Sequence, residues 1–300
     1  MKLSSYLLAL RPWSLSGSLV PILLGSTLAH KFMPEANQFS WVIFALTLLT
    51  VVSVHCAGNV VNTYFDYVKG IDGGKSDDRT LVDHLLSKDE VVTLGVMLYS
   101  VSCLGFVVLA MLSPARMEHL ALIYFGGLSG SFLYTGGIGL KYIALGDVLI
   151  LITFGPVSVF FAFVTQTGLL EWTTIFYAVP LALNTEAILH SNNTRDLESD
   201  RRAGIVTLAI LVGPTASRIL YAFLLFTPYI VFVVLIVRYS AWFALPIVTL
   251  PSAFRIEKQF RLSSDVQLVP RQTAKLNLYF GLLYVLSVGM TNVHSLPFIH

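Results

Sequence analysis

Long apolar stretches alternate with short polar segments along nearly the whole chain of 300 residues. A helix needs about 20 mostly apolar residues to cross the hydrocarbon layer of a membrane. Stretches of that kind run at about 13–30, 39–58, 91–112, 118–136, 144–167, 172–190, 213–237, 239–256 and 275–293. The pattern predicts an all-α, polytopic membrane protein of about nine transmembrane helices, with residues 1–300 as a single domain. The run from Thr207 to Val237 is too long for one simple span, so a surface turn at its start and a kink near Pro228 are expected. Ahead of the first span, Lys2 and the apolar Tyr6–Leu10 run are cut short by Arg11-Pro12. That pattern suits a short amphipathic lead-in at the membrane surface.

Composition supports the same class. Hydrophobic residues make up 55% of the chain and charged residues 12%, against about 25% charged in soluble domains. So few charges cannot cover a water-soluble surface, and the balance excludes a disordered chain or a small disulfide scaffold. A net charge of +2 gives no basic excess for nucleic acid. The two cysteines, Cys56 and Cys103, lie in apolar runs and read as buried thiols. With nine spans, all 19 basic residues except Lys31, Arg116, Arg218 and Arg238 fall on the side that holds the N-terminus. The positive-inside rule makes that side cytoplasmic. The acidic residues gather there too, with only Glu35, Glu118 and Glu171 opposite. That rule requires no acidic bias, so the gathered carboxylates point to chemistry such as a metal site.

Two polar clusters stand at cytoplasmic ends of spans. In the first, Asn59, Asn62 and Asp66 are spaced i, i+3, i+7 and share one helical face. Asp72 follows beyond Gly70, where the helix is expected to open. Amides and carboxylates at a membrane helix end are costly unless they face protein, water or ligand. The next acidic run, Asp77-Asp78-Arg79, suits a solvated loop equally well. In the second cluster, Asn192, Asp196 and Asp200 are spaced i, i+4, i+8, with Asn193 alongside. His190 beside them reads as a packing or hydrogen-bonding histidine.

Facing one another, the clusters offer two Asn and four Asp to hard divalent cations, and Mg²⁺ needs few carboxylates when substrate phosphates complete its shell. Lys75, Arg79, Lys141, Arg195, Arg201 and Arg202 supply positive charge for a diphosphate. No Cys/His set has zinc spacing. A magnesium-type site at the mouth of an apolar bundle predicts an amphiphilic substrate with an anionic head. An isoprenyl diphosphate fits; a phospholipid headgroup transferase is the other reading at this level.

The motifs resemble those of the UbiA superfamily of intramembrane prenyltransferases. Asn62, Asp66 and Asp72 match the first signature, although Asp66 and Asp72 are six apart where that motif usually has four. This spacing resembles the menaquinone-type branch. Asp196 and Asp200, preceded by Asn192 and Asn193, match the second signature. Leu10-Arg11-Pro12-Trp13, Tyr134–Gly137, Lys141–Asp147 and Arg201–Ala209 resemble further segments of the family.

The resemblance implies helices around a central cavity with a cytoplasmic-side cap. It implies transfer of a geranylgeranyl group from geranylgeranyl diphosphate to menadiol, making menaquinone-4 (vitamin K2), with Mg²⁺ as cofactor. Asn62, Asp66, Asp72, Asn192, Asp196 and Asp200 would hold metal, and the four aspartates are the expected catalytic residues. Lys141 and Arg202, with Arg79 and Arg201 behind them, would contact diphosphate. Asn59, Asn193, Tyr142 and Asp147 would serve the acceptor or support the metal ligands. The family likeness further implies endoplasmic reticulum, Golgi and mitochondrial membranes, contact with membrane lipid, and HMG-CoA reductase as a partner. Ubiquinone-type prenyl transfer, and a prenyl-lipid sensor that binds such a partner, are the alternatives.

Overall fold

The structure is a computed structural model, and it describes residues 2–33, 38–73, 78–263 and 265–298. Among those residues there is no strand, only one isolated bridge between Ile143 and Val206. Twelve α-helices follow in order: α1 (Lys2–Ala9), α2 (Ser16–Phe32), α3 (Trp41–Val68), α4 (Lys88–Leu112), α5 (Met117–Leu133), α6 (Gly146–Ile152), α7 (Ser158–Thr167), α8 (Thr174–Arg195), α9 (Leu197–Arg202), α10 (Leu208–Arg238), α11 (Leu250–Leu262) and α12 (Val269–Met290).

Five of the described segments are long and apolar enough to cross a membrane: α3, α4, α6 joined to α7, α10 and α12. A sixth arises if α1 and Pro12–Phe32, bent by 41°, count as one span. Nine spans are therefore not established by length and apolarity. The shortfall has a physical cause in two places. Helix α8 lies where a span is expected, but Asn184, Glu186, His190, Asn192 and Asn193 dilute its apolar character. The expected span 239–256 is a 3₁₀ run, Ala241–Thr249, feeding the amphipathic α11.

Other expectations are corrected in detail. In α10 the turn expected at the start of the run is found at Gly213 (φ 80°), just before Pro214, and the backbone stays helical through Pro228. Cys56 is buried, but Cys103 is exposed on the outer face of α4. The polar residues of the second cluster do not share one continuous helix, because Asp196 (φ −93°, ψ 7°) interrupts the path from α8 to α9.

The packed interior has two main parts. One joins α2, α7, α8, α10, α11 and α12 through Val20, Leu24, Phe163, Tyr221, Phe232 and Phe280. The other joins α3, α4, α5 and α7 through Ile43, Leu109, Leu120, Tyr124 and Phe161. Helix α7 belongs to both, and a cavity opens between them. The wall on the α7 side is irregular: Thr153–Val157, with Pro156 inside, forms a π-helical turn. Wide turns of this kind re-aim side chains and are frequent at functional sites.

Helices α2 and α7 meet closely at Gly25, where a Cβ atom would lie 2.3 Å from the Val159 carbonyl oxygen. Gly25→Ala must push two backbones apart, at a cost of about 1–3 kcal/mol. Gly126 on α5 has open space around it, so Gly126→Ala should be neutral or slightly stabilising. Melting temperatures in detergent should fall for the first variant and hold or rise for the second.

Candidate functional site

The C-terminal end of α3 explains the long spacing between the first two aspartates. Gly70 adopts a left-handed conformation (φ 71°), which glycine accepts without steric cost. The Ile71 amide donates to the Asp66 carbonyl at 2.9 Å, and the Gly70 amide donates to the Tyr67 carbonyl at 3.1 Å. This is a Schellman closure. It folds the chain back so that the Asp72 amide reaches the Asp66 carbonyl at 3.3 Å. Two residues added to the helical repeat are absorbed by the turn, and Asp72 returns to the face held by Asn59, Asn62 and Asp66.

The second cluster is brought opposite by a short strap. The Ala144 amide donates to the Val206 carbonyl at 2.7 Å, and the Val206 amide donates to the Tyr142 carbonyl at 3.1 Å. The α5–α6 connection is thereby tied to the segment after α9. Lys141 projects from it between the clusters. Its Nζ donates to Asp66 Oδ2 at 2.7 Å and to Asn62 Oδ1 at 3.2 Å. The Tyr142 hydroxyl donates to Asp66 Oδ1 at 2.8 Å, and Lys69 Nζ lies 3.7 Å from the centre of the Tyr142 ring.

Both clusters open into one cavity of about 540 Å³. Its head is lined by Asn59, Asn62, Asp66, Asp72, Lys141, Asn192, Asn193, Asp196, Asp200 and Arg202. Its depth is lined by Val51, Val54, Ile123, Leu128, Phe154, Val157 and Phe161. A charged head above an apolar body matches an amphiphile whose anionic group stays at the interface.

The remaining expected residues divide. Arg195 closes on Asp196 with two bonds of 2.8 and 2.6 Å and donates to Asn192 Oδ1 at 2.8 Å, so it organises the cluster from its edge. Asn59 donates to the Leu10 carbonyl at 2.9 Å and to Ser14 Oγ at 3.0 Å, anchoring the N-terminal segment. Arg79 and Arg201 do not line the cavity: Arg79 pairs with Asp83 at 2.6 Å and Arg201 lies 3.6 Å from Glu198, both at exposed positions. Lys75 and Asp77 lie outside the described residues. Asp147 turns away from Lys141. It sits behind the cavity wall, where Asn193 donates to it at 3.5 Å.

There Asp147, Glu186 and His190 form a buried group whose ligand atoms lie within 4.8 Å of one another. His190 Nε2 donates to the Ser217 carbonyl at 3.0 Å, and its Nδ1 faces Asp147 Oδ1 at 3.6 Å. The hydrogen-bonding role expected for His190 is met. Glu186 escaped attention, though an acid one turn before a histidine in an apolar run was its signal.

Two further residues were missed. Arg11 donates to Asp78 Oδ2 at 2.7 Å, and both line the cavity. Asp78 also accepts from the Thr63 hydroxyl and from the Thr80 amide. It is a buried structural acid and not a wet loop residue. Burial pushes its carboxyl up, but Arg11 and these hydrogen bonds outweigh burial and hold it below the usual carboxylate range.

The neighbouring acids go the other way. Burial, reinforced by Asp66, pushes Asp72 up to about 7, against the pull of Arg11 and Lys141. Burial pushes Asp200 up to about 6; Lys141 opposes this, while Asp196 and Asp66 add to it. Asp66 thus acts electrostatically on acids of both clusters. Crowded, half-desolvated carboxylates with spare oxygens are a donor set suited to a hard cation.

Helices long and apolar enough to cross a membrane thus surround a cavity with an acidic and basic head above an apolar body. Residues 18–284 match the UbiA prenyltransferase family, and the chain belongs to that family. It is 69% identical over 297 residues to the UbiA prenyltransferase domain-containing protein 1 homolog of Drosophila melanogaster, covering 99% of this chain and 82% of that one. It is 57% identical over 296 residues to UbiA prenyltransferase domain-containing protein 1 of Homo sapiens, covering 99% and 86%. The fold is shared with a UbiA homolog from Archaeoglobus fulgidus bound to GPP and Mg²⁺ (TM-score 0.64, 16% identity, 95% of this chain and 99% of that one). It is shared also with the apo UbiA homolog of Aeropyrum pernix (TM-score 0.70, 16% identity, 90% and 97%).

The raised Asp72 gives a test with a definite sign. In the unfolded chain an aspartate titrates near 3.9; in the folded protein Asp72 titrates near 7. Its ionisation therefore costs the folded, metal-free protein stability above pH 7, and the cost vanishes below about pH 4. Asp72→Asn should raise the melting temperature of protein held in EDTA at pH 8 and leave it unchanged at pH 4. Equal effects at both pH values would contradict the crowding.

Proposed function

We propose that the protein transfers the geranylgeranyl group of geranylgeranyl diphosphate to menadiol, forming menaquinone-4, in a Mg²⁺-dependent aromatic substitution. The observation that carries this reading is the single cavity that joins both acidic clusters and Lys141 at its head to an apolar body. The donor chemistry fits magnesium: all the candidate ligands are carboxylate or amide oxygens, and the raised Asp72 and Asp200 mark a surplus of negative charge. Asn62, Asp66, Asp72, Asn192, Asp196 and Asp200 would hold the ions. When bound, Mg²⁺ supplies positive charge that favours departure of the diphosphate.

The side chains of this protein do the rest. Lys141 and Arg202 reach the cavity head and bind diphosphate oxygens. Tyr142 and Asn62 fix Asp66 and Lys141 in place, so the donors are set before the charge develops. The prenyl chain lies along Val51, Val54, Leu128 and Phe161. As the C1–O bond breaks, its electron pair leaves with the diphosphate. The hydroquinone ring attacks C1, and loss of the ring proton restores aromaticity. The apolar wall keeps water from capturing the allylic cation as an alcohol. The same reading places the protein in endoplasmic reticulum, Golgi and mitochondrial membranes, with HMG-CoA reductase as its partner.

Purified protein in proteoliposomes, given menadiol, geranylgeranyl diphosphate and Mg²⁺, should yield menaquinone-4 by mass spectrometry. EDTA should abolish the product. Asp66→Asn and Asp196→Asn should each lower the rate at least ~100-fold, the usual scale for removing an electrostatic stabiliser. No product, or product insensitive to EDTA, would refute the assignment.

A further inference from the structure

Below the carboxylates, the apolar part of the cavity carries one imidazole. His55 lies on α3, seven residues before Asn62, and lines the cavity. Two helical turns put it roughly 10 Å deeper than Asn62. It is 8% exposed. Its ring lies 4.5 Å, centre to centre, from the ring of Phe154 in the π-helical turn.

The hydrogens around this ring can be counted. Ser18 Oγ donates its one hydrogen to the Leu15 carbonyl at 3.2 Å. Ser18 therefore accepts from His55 Nδ1, 2.9 Å away. Nδ1 bears the proton, and Nε2 bears a lone pair. Ser14 Oγ is 3.3 Å from Nε2, but its hydrogen goes to the Arg11 carbonyl at 2.8 Å. Ser14 Oγ accepts in turn from Asn59. No carboxylate is among the partners of His55, and an unpaired buried cation would be costly, so the ring is neutral. In this tautomer Nε2 presents its lone pair beside Ser14 Oγ, which has no hydrogen left to give it, on a wall that also carries Thr153 and Thr185. Buried acceptors of that kind call for a donor.

We propose that His55 Nε2 is the hydrogen-bond acceptor for a phenolic hydroxyl of the aromatic substrate. The proposal rests on the aromatic prenyl transfer argued above and names the residue that recognises its acceptor. The reacting ring lies below the carboxylates, between prenyl C1 and His55, so that one of its two hydroxyls reaches Nε2, with Phe154 beside the ring. The hydroxyl keeps its proton. The hydrogen bond orients the ring and raises its electron density as it attacks C1. Ser18 and Ser14 are positioning residues that hold the tautomer. An oxidised quinone presents a carbonyl lone pair to Nε2 and gains nothing, so the site selects the reduced ring.

The test pairs a substitution with a substrate change. Rates with menadiol and with each of its two monomethyl ethers are measured for the parent protein, His55→Leu and His55→Gln. The KM for geranylgeranyl diphosphate is followed throughout as a check on the folded diphosphate site. In the parent protein, one of the two ethers should be about tenfold poorer than menadiol, the scale of one lost hydrogen bond in a buried site. His55→Leu should raise the KM for menadiol about tenfold, leave that for geranylgeranyl diphosphate within about twofold, and lose the discrimination against that ether. His55→Gln keeps an acceptor oxygen and should recover part of it. If His55→Leu does not fold, Ser18→Ala, which frees the tautomer, should weaken the same discrimination.

Unchanged ether discrimination in the folded variants would overturn the proposal while leaving prenyl transfer intact. A parent protein that prenylates no hydroquinone would overturn the underlying reading, and this proposal with it.

Discussion

The contact between Lys141 and Asp66, at 2.7 Å, is the constraint around which the site is organised. A buried carboxylate at a membrane helix end needs a partner, and here the partner comes from the connection between α5 and α6. Asn62 and Tyr142 share the pair, so one lysine, one tyrosine, one amide and one acid are fixed together. The strap between residues 142–144 and Val206 then carries this assembly to the second cluster. Without that ion pair, two helix ends would present acids to each other with little to set their separation. With it, the cavity head has a defined width and a cation at its centre.

Charge is distributed unevenly within that head. Asp78, deep beside Arg11, is satisfied and structural. Asp196 is gripped by Arg195. Asp72 and Asp200 are raised and have spare oxygens. Asp78 is thus neutralised by a protein cation and keeps the wall in place, Asp196 is oriented by Arg195, and Asp72 and Asp200 carry the charge left over. Binding of a cation with a diphosphate would relieve that surplus while Asp78 and Arg11 hold the wall. The price of this arrangement is lower stability in the metal-free protein, in keeping with the general trade between function and stability.

Much of this was legible in the sequence. Apolar run lengths gave the helical membrane class, and the spacing of Asn62, Asp66, Asn192, Asp196 and Asp200 gave both clusters. Asp72 was legible because Gly70 marks the turn that returns it. What escaped had no local signature. Arg11 and Asp78 are far apart in sequence and meet only in the fold, where Asn59 anchors the N-terminal segment. Arg79, next door to Asp78, pairs outward with Asp83, and neither neighbour's direction can be read from composition. Likewise Glu186 and Asp147 gain meaning only beside His190. Nine spans are not established for a related reason: a helix that lines a polar site, as α8 does, loses the apolarity by which spans are counted.

The central claim is that the two clusters form one site for a prenyl diphosphate. Its most direct test is equilibrium binding of a non-hydrolysable geranylgeranyl diphosphate analogue to the purified protein, with and without Mg²⁺, for Asp72→Asn and Asp200→Asn beside the parent. The account predicts Mg²⁺-dependent binding that is weakened by either substitution alone, one in each cluster. Binding that survives the loss of an acid from one cluster undiminished, or that ignores Mg²⁺, would contradict it.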